Sequence, residues 1–166
     1  MNPDFTASDT VLAHLTEYVG GIDDNYLKSR YTGFVAVTAV TSYEVNIRNK
    51  IFDFCRKKHK VFGDFSEAQF EKTNAKVKLA HLKDEYLKKF GGKYLKSFQK
   101  RVDLVEKEYL AEKGISLKNS YHNLITWRND FVHEGVLPAY ATYDDAREAY
   151  EAGKKIVSAF FDSLHR

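Results

Sequence analysis

Apolar residues recur at steps of three and four along almost the whole chain, and no stretch alternates convincingly with a period of two. That spacing turns one side of a 3.6-residue helix inward and predicts an all-α protein. A first helix is expected from about Ser8 to Val19, stopped by Gly20-Gly21. Asp23-Asp24 then open a long helix that reaches about His59. One of its faces reads Val37, Val40, Glu44, Ile47, Ile51, Phe54, so Glu44 falls inside an apolar stripe. Gly63-Asp64-Phe65-Ser66 has the residues of a helix start, and that helix is expected to continue to Phe90, where Gly91-Gly92 break it.

A further helix is predicted from Tyr94 to Glu112, closing at Lys113-Gly114. Ser116 or Asn119 caps the next one, which ends at Gly135 and carries the stripe Leu117, Tyr121, Leu124, Arg128, Val132. Arg128, like Glu44, therefore sits on a face expected to point inward. A loop with Pro138 leads to Thr142, an N-cap residue followed by Asp144 and Asp145 in the first turn. The last helix, from Thr142 to His165, is expected to bury Ala146, Ala149 or Tyr150, Gly153, Val157, Phe160 and Leu164. Gly153 in its middle predicts close approach by another helix. No repeats, low-complexity tracts or linkers interrupt the pattern. The reading is a single-domain helical bundle of about five to six helices over residues 1–166.

Composition narrows this picture. A chain of 166 residues builds its own core. With 43% hydrophobic and 30% charged residues it is a folding sequence rather than a disordered one. Cys55 is the single cysteine, which excludes an internal disulfide and a cysteine-based zinc cluster and suits a reducing cytoplasm. Met1-Asn2-Pro3-Asp4 lacks a basic region followed by an apolar run, so no signal peptide is expected. No apolar run approaches the roughly 18 residues of a membrane span, so no membrane partner is expected. The net charge of +3 permits a nucleic-acid partner without requiring one.

The sharpest chemistry lies in Trp127-Arg128-Asn129-Asp130-Phe131-Val132-His133-Glu134-Gly135. Arginine stays charged and grips phosphate through two N–H groups at once. Histidine exchanges protons near neutral pH. Together they can cleave a phosphodiester without a metal. A plain structural role is also open, since a histidine in the last turn favours the helix dipole and Gly135 suits a helix C-terminus. Residues five apart on a helix point about 140° apart. Asn129 and His133, four apart, share a face, while Arg128 turns toward the core. A second copy of the segment, brought in by a two-fold axis, would complete a site. Glu44 has two candidate partners: Arg48 one turn on, or Arg128 from the other helix.

Basic residues form a further cluster. Arg56-Lys57-Lys58-His59-Lys60 end the long helix, and Lys72, Lys76, Lys78, Lys83, Lys88, Lys89, Lys93, Lys96, Lys100 and Arg101 follow. Phe90, Tyr94 and Phe98 are interleaved, but so are Glu71, Asp84 and Glu85. Both a phosphate-binding surface and an ordinary solvated face fit. His14, His59, His81, His122 and His165 show no metal-type spacing, and no phosphate loop or nucleophile elbow occurs, so no metal or cofactor is expected.

The segment from Arg128 to His133 fits the Arg-x4-6-His motif and resembles the HEPN superfamily, with Asn129 at the polar position favoured after the Arg. The following loop and the helix from Thr142 to His165 resemble the C-terminal half of such domains, and the long helix bearing Glu44 resembles their acidic helix. The resemblance implies an HEPN-like helical domain that dimerises and, in its active members, cuts RNA without a metal. Many members are toxins or anti-phage effectors, controlled by an antitoxin or inhibitor protein; others are non-catalytic RNA- or nucleotide-binding or dimerisation modules. One subgroup carries a Tyr two residues after the motif His that a partner enzyme modifies. Gly135 stands here, so that control is not carried over. The lysine-rich segment 61–114 is long for a minimal member and reads as a family-specific insertion.

The implied reaction is attack of an RNA 2′-hydroxyl on its own phosphorus, leaving a 2′,3′-cyclic phosphate and a 5′-hydroxyl. His133 would serve as base or acid and Arg128 would neutralise the phosphorane. Asn129 would orient His133 or bind the phosphate, and Glu44 would hold Arg128 in place. A homodimer with a composite active site is the expected assembly.

Overall fold

The computed structural model describes residues 2–70 and 76–165. Glu71 and Lys72, two of the charged positions in the lysine-rich middle, lie outside the described residues. Seven α-helices and one π-helical segment, with no strand, make up the described residues. The count slightly exceeds the expected five to six because the middle of the chain is divided more finely.

Helix α1 covers Thr6–Val19 and α2 covers Asn25–Lys58. The side chain of Asp24 caps α2 by accepting from the backbone N–H groups of Tyr26 and Leu27, which satisfies donors that the first turn would leave open. At 34 residues α2 is the spine of the bundle. α1 and the later helices pack around it.

The next element departs from expectation. His59 is extended and ends α2, yet α3 (Lys60–Phe70) begins at once instead of at Gly63–Ser66. Gly63 and Ser66 are buried inside α3. A Cβ at Gly63 would press on the Arg56 backbone, and Arg56 pairs with Glu67 across the same contact. The glycine that resembled a helix start is thus needed where α3 folds back onto α2. Nor does one helix run on to Phe90. A π-helical segment, His81–Leu87, continues into the short α4 (Lys88–Phe90), and the chain breaks at Gly91. This stretch contributes Leu82, Tyr86 and Leu87 to the core.

α5 (Gly92–Lys113) starts two residues before the expected Tyr94 and closes on left-handed Gly114. It supplies Tyr94, Phe98, Val102 and Tyr109 to the interior. The described residues of segment 61–114 thus contribute side chains to the same hydrophobic core as the rest of the bundle. α6 (Leu117–Glu134) is capped by Ser116, whose hydroxyl accepts from Asn119 N–H at 3.2 Å. α7 (Tyr143–Ser163) opens with a capping box between Thr142 and Asp145.

α7 lies at the centre, against α2, α5 and α6. The residues expected to face inward on it do so: Ala146, Ala149, Tyr150, Gly153, Val157, Phe160 and Leu164 are all buried. Gly153 meets the phenol of Tyr43, which donates to the Tyr150 carbonyl at 2.7 Å; a Cβ at Gly153 would overlap that ring. Among the described residues no helix is long and apolar enough to cross a membrane.

Candidate active site

The motif occupies the last two turns of α6, and three local features fix them. Tyr121, fully buried, donates to the Val77 carbonyl at 2.6 Å and anchors the start of the helix. Trp127 is buried, with its ring 6.4 Å from that of Tyr140 in the following loop. Gly135 takes a left-handed conformation, φ 71°, and its N–H donates to the Phe131 carbonyl at 3.1 Å. That closes the helix directly after His133 and Glu134.

The expected inward stripe holds for Leu117, Tyr121 and Leu124, is half-buried at Arg128, and fails at Val132, which is 50% exposed. The reason is the neighbouring residue. Phe131 lies against Gly33 of α2 so closely that a Cβ there would overlap its ring. With Phe131 turned inward, Val132 is rotated about 100° away toward solvent.

Arg128 meets Glu44. Its Nη2 lies 4.0 Å from Glu44 Oε1, both side chains being about one-fifth exposed. Of the two partners open to Glu44, Arg128 is the one in ion-pair range, and Arg48 acts on the carboxylate as a weaker influence. At 4.0 Å the pair is a charge contact without a hydrogen bond. Burial dominates and pushes the Glu44 carboxyl above its ordinary value, with Arg128 and then Arg48 pulling it back. The same environment raises the nearby phenols, Tyr86 to about 12, through burial first and the charges of Glu85 and Glu44 after it.

The guanidinium is held but not saturated. Nη1 donates to Asn129 Oδ1 at 3.1 Å, the one hydrogen bond Arg128 makes among the described residues. Its Nε is buried without a hydrogen-bond partner, and so is Glu44 Oε1. An arginine has five N–H donors, so most of its capacity is uncommitted. The bond also uses the amide oxygen of Asn129 and leaves that side chain's NH₂ uncommitted. His133 stands exposed in the last turn, with no hydrogen bond or ion pair among the described residues. Arg128, Asn129 and Glu44 thus form one connected group, and His133 lies beside it on the surface.

One residue near the motif escaped the sequence reading. Arg30 of α2 stacks over the rings of Tyr26 (4.6 Å) and Phe131 (5.3 Å), and its buried Nε has no hydrogen-bond partner. It makes no ion pair among the described residues. The available signal was Tyr26-x3-Arg30-x3-Phe34, an arginine flanked by aromatics one turn away on each side. Tyr26 and Phe34, one turn to either side of it, leave large apolar surfaces exposed, as does Val132 next to Phe131 in the sequence.

Among the described residues no group of three or more His, Cys, Asp or Glu side chains is arranged to hold a metal. A family model described as RiboL-PSP-HEPN matches residues 7–166, which include the motif and both helices that carry Arg128 and Glu44. Neither the curated proteins nor the solved structures include a significant match to the chain.

Proposed function

The chain belongs to the RiboL-PSP-HEPN family, and on that premise we propose that it is a metal-independent endoribonuclease. The products would be RNA ends bearing a 2′,3′-cyclic phosphate and a 5′-hydroxyl. The observation that carries this reading is the division of labour on α6: an incompletely engaged arginine tethered by Glu44 and Asn129, next to an exposed histidine.

His133 takes the 2′-hydroxyl proton or returns one to the leaving 5′-oxygen, a contribution of about 10²–10⁴-fold. Arg128 offers unused N–H donors to the phosphorane, where charge develops. Asn129 steadies the guanidinium through its oxygen and presents its NH₂ to the phosphate. Glu44 positions Arg128. One subunit has a single His133, so a general base and a general acid both supplied by histidine require two copies. We place the working site at a homodimer axis, where the exposed apolar surfaces of Tyr26, Phe34 and Val132 supply the contact.

In the cell the protein would act in the cytoplasm as a toxin or anti-phage effector, restrained by an antitoxin or inhibitor protein. A second reading, a non-catalytic RNA-binding or dimerisation module, draws on the same ion pair, because Arg128 held by Glu44 also serves as a structural link between α2 and α6. Cleavage of RNA in EDTA by the wild type, Arg128→Ala and His133→Ala decides between them. Cleavage by the wild type that both substitutions abolish, with folding intact, supports the nuclease. A folded dimer that binds RNA and leaves it intact establishes the module.

A further inference from the structure

At the opposite end of the bundle, the N-terminal half of α5 and the C-terminal end of α7 enclose a groove of about 560 Å³. Lys93, Lys96, Lys100, Arg101 and His165 line it, with Asp162 as its one carboxylate. That acid is already engaged, 3.4 Å from Arg101. The neighbouring cleft, by contrast, is balanced, with Arg101, Lys154 and Lys155 against Glu108, Glu151 and Asp162. In the cleft between α1 and the far end of α5, carboxylates outnumber Lys and Arg.

The excess is written into the sequence. From Tyr86 to Val102 the chain has Lys88, Lys89, Lys93, Lys96, Lys100 and Arg101 and no Asp or Glu. An ordinary solvated helix face interleaves acids at i+3 or i+4 to neutralise its lysines, as α5 does beyond Asp103. Lys93, Lys96 and Lys100 are exposed and follow one another at steps of three and four. They form a row along one side of α5 with spacings of about 4.5 and 6 Å.

We propose that this α5–α7 groove is a second RNA-binding site, which grips the phosphate backbone at a distance from the Arg128–His133 site. It rests on the ribonuclease reading only for the choice of RNA over other polyanions. The groove is concave and cationic, which fits a strand or stem better than a flat membrane. Tyr94, its aromatic residue, is buried with Lys93 stacked over its ring, so no exposed ring stacks on bases. Recognition is therefore of phosphates, independent of sequence and strongly salt-dependent. His133 lies near the N-terminal end of α7 and the groove at its C-terminal end, a separation of about 30 Å for a helix of this length. Only an RNA long enough to span that distance engages both.

The test uses the full chain and a 2′-O-methyl RNA hairpin, which cannot undergo 2′-hydroxyl attack, so binding is read without cleavage. Lys96→Glu/Lys100→Glu is compared with Lys107→Glu/Lys113→Glu, which makes the same charge change on the other half of α5. We expect micromolar binding by the wild type. The groove variant should lose at least about tenfold in affinity at moderate salt, with the slope of log K against log salt reduced by about two. The control should lose less than about threefold. Equal losses in both variants would reduce the effect to net charge, and no loss in either would remove the groove as a site. Poly-glutamate competing as well as RNA at equal charge would assign the face to an acidic protein instead. Lys96→Gln/Lys100→Gln repeats the comparison should the reversal impair folding. A wild type that binds through the groove but never cleaves natural RNA overturns the nuclease reading and leaves this one standing.

Discussion

The Arg128 guanidinium and the Glu44 carboxylate face each other at 4.0 Å between α6 and α2, each with a buried polar atom that has no hydrogen-bond partner. The pair is therefore under-satisfied on both sides. Its carboxylate gains less from the arginine than it loses by burial, since its proton is held above the ordinary glutamate range.

This sets the expectation for Glu44→Gln. A raised native pKa means that the folded state holds the proton more tightly than the unfolded state, so stability falls as pH rises through and above about 4.3. The amide removes that penalty. Denaturant melts should show the wild type losing ground to Glu44→Gln as the pH rises above the ordinary glutamate range, and at pH 7 the two should agree within about 1 kcal/mol. RNA cleavage should nevertheless drop about tenfold or more, because Arg128 loses its tether. Unchanged cleavage would remove Glu44 from any positioning role.

His133→Ala should separate activity from folding. The side chain is exposed and bonded to nothing among the described residues, so its loss costs only the helix-dipole interaction, about 0.3–1 kcal/mol. Cleavage should fall by about 10²–10⁴-fold. A large drop in melting temperature together with the loss of activity would point to a structural histidine.

Arg128→Lys should fail despite keeping the charge. One ammonium cannot hold Asn129 and face Glu44 while still presenting a planar fork to phosphate. Cleavage close to that of Arg128→Ala, measured under single-turnover conditions, is the expected result; near wild-type cleavage would show that a point charge suffices.

Gly33→Ala should act on the site through packing. A methyl group there overlaps the Phe131 ring, so α6 must shift or Phe131 must turn out. We expect a loss of about 1–3 kcal/mol in urea melts and a fall in cleavage larger than that of an equally destabilising change remote from α6. The double variant Gly33→Ala/Phe131→Leu should recover part of both.

Arg30→Ala probes the cation that the sequence reading missed. Its charge is stacked on two rings and paired with no acid among the described residues. RNA affinity should weaken and the salt slope shrink by about one, while stability changes by about 1 kcal/mol or less. An unchanged salt slope would confine Arg30 to packing.

Much of the architecture was legible in the chain because it depends on local physics. Gly20-Gly21, Asp24, Gly114, Ser116, Gly135 and Thr142 mark helix ends through capping chemistry that acts within four residues, and each stands at or beside an observed end. The inward face of α7 follows from its period alone. The Arg-x4-His segment was likewise visible, and with it the family.

Three features were decided only by tertiary contact. Gly63 reads as a helix start in sequence, but the close approach of α3 to the Arg56 backbone keeps it inside a helix. Val132 fits an apolar stripe, but the notch at Gly33 accepts Phe131 instead and turns Val132 outward. Glu44 had two arginines within plausible reach, and the crossing of α2 and α6 brought Arg128 into range. Periodicity and caps are short-range and belong to the sequence. Which residue fills a given notch, and which of two cations meets a carboxylate, depends on helices far apart in the chain and exists only once they are packed together.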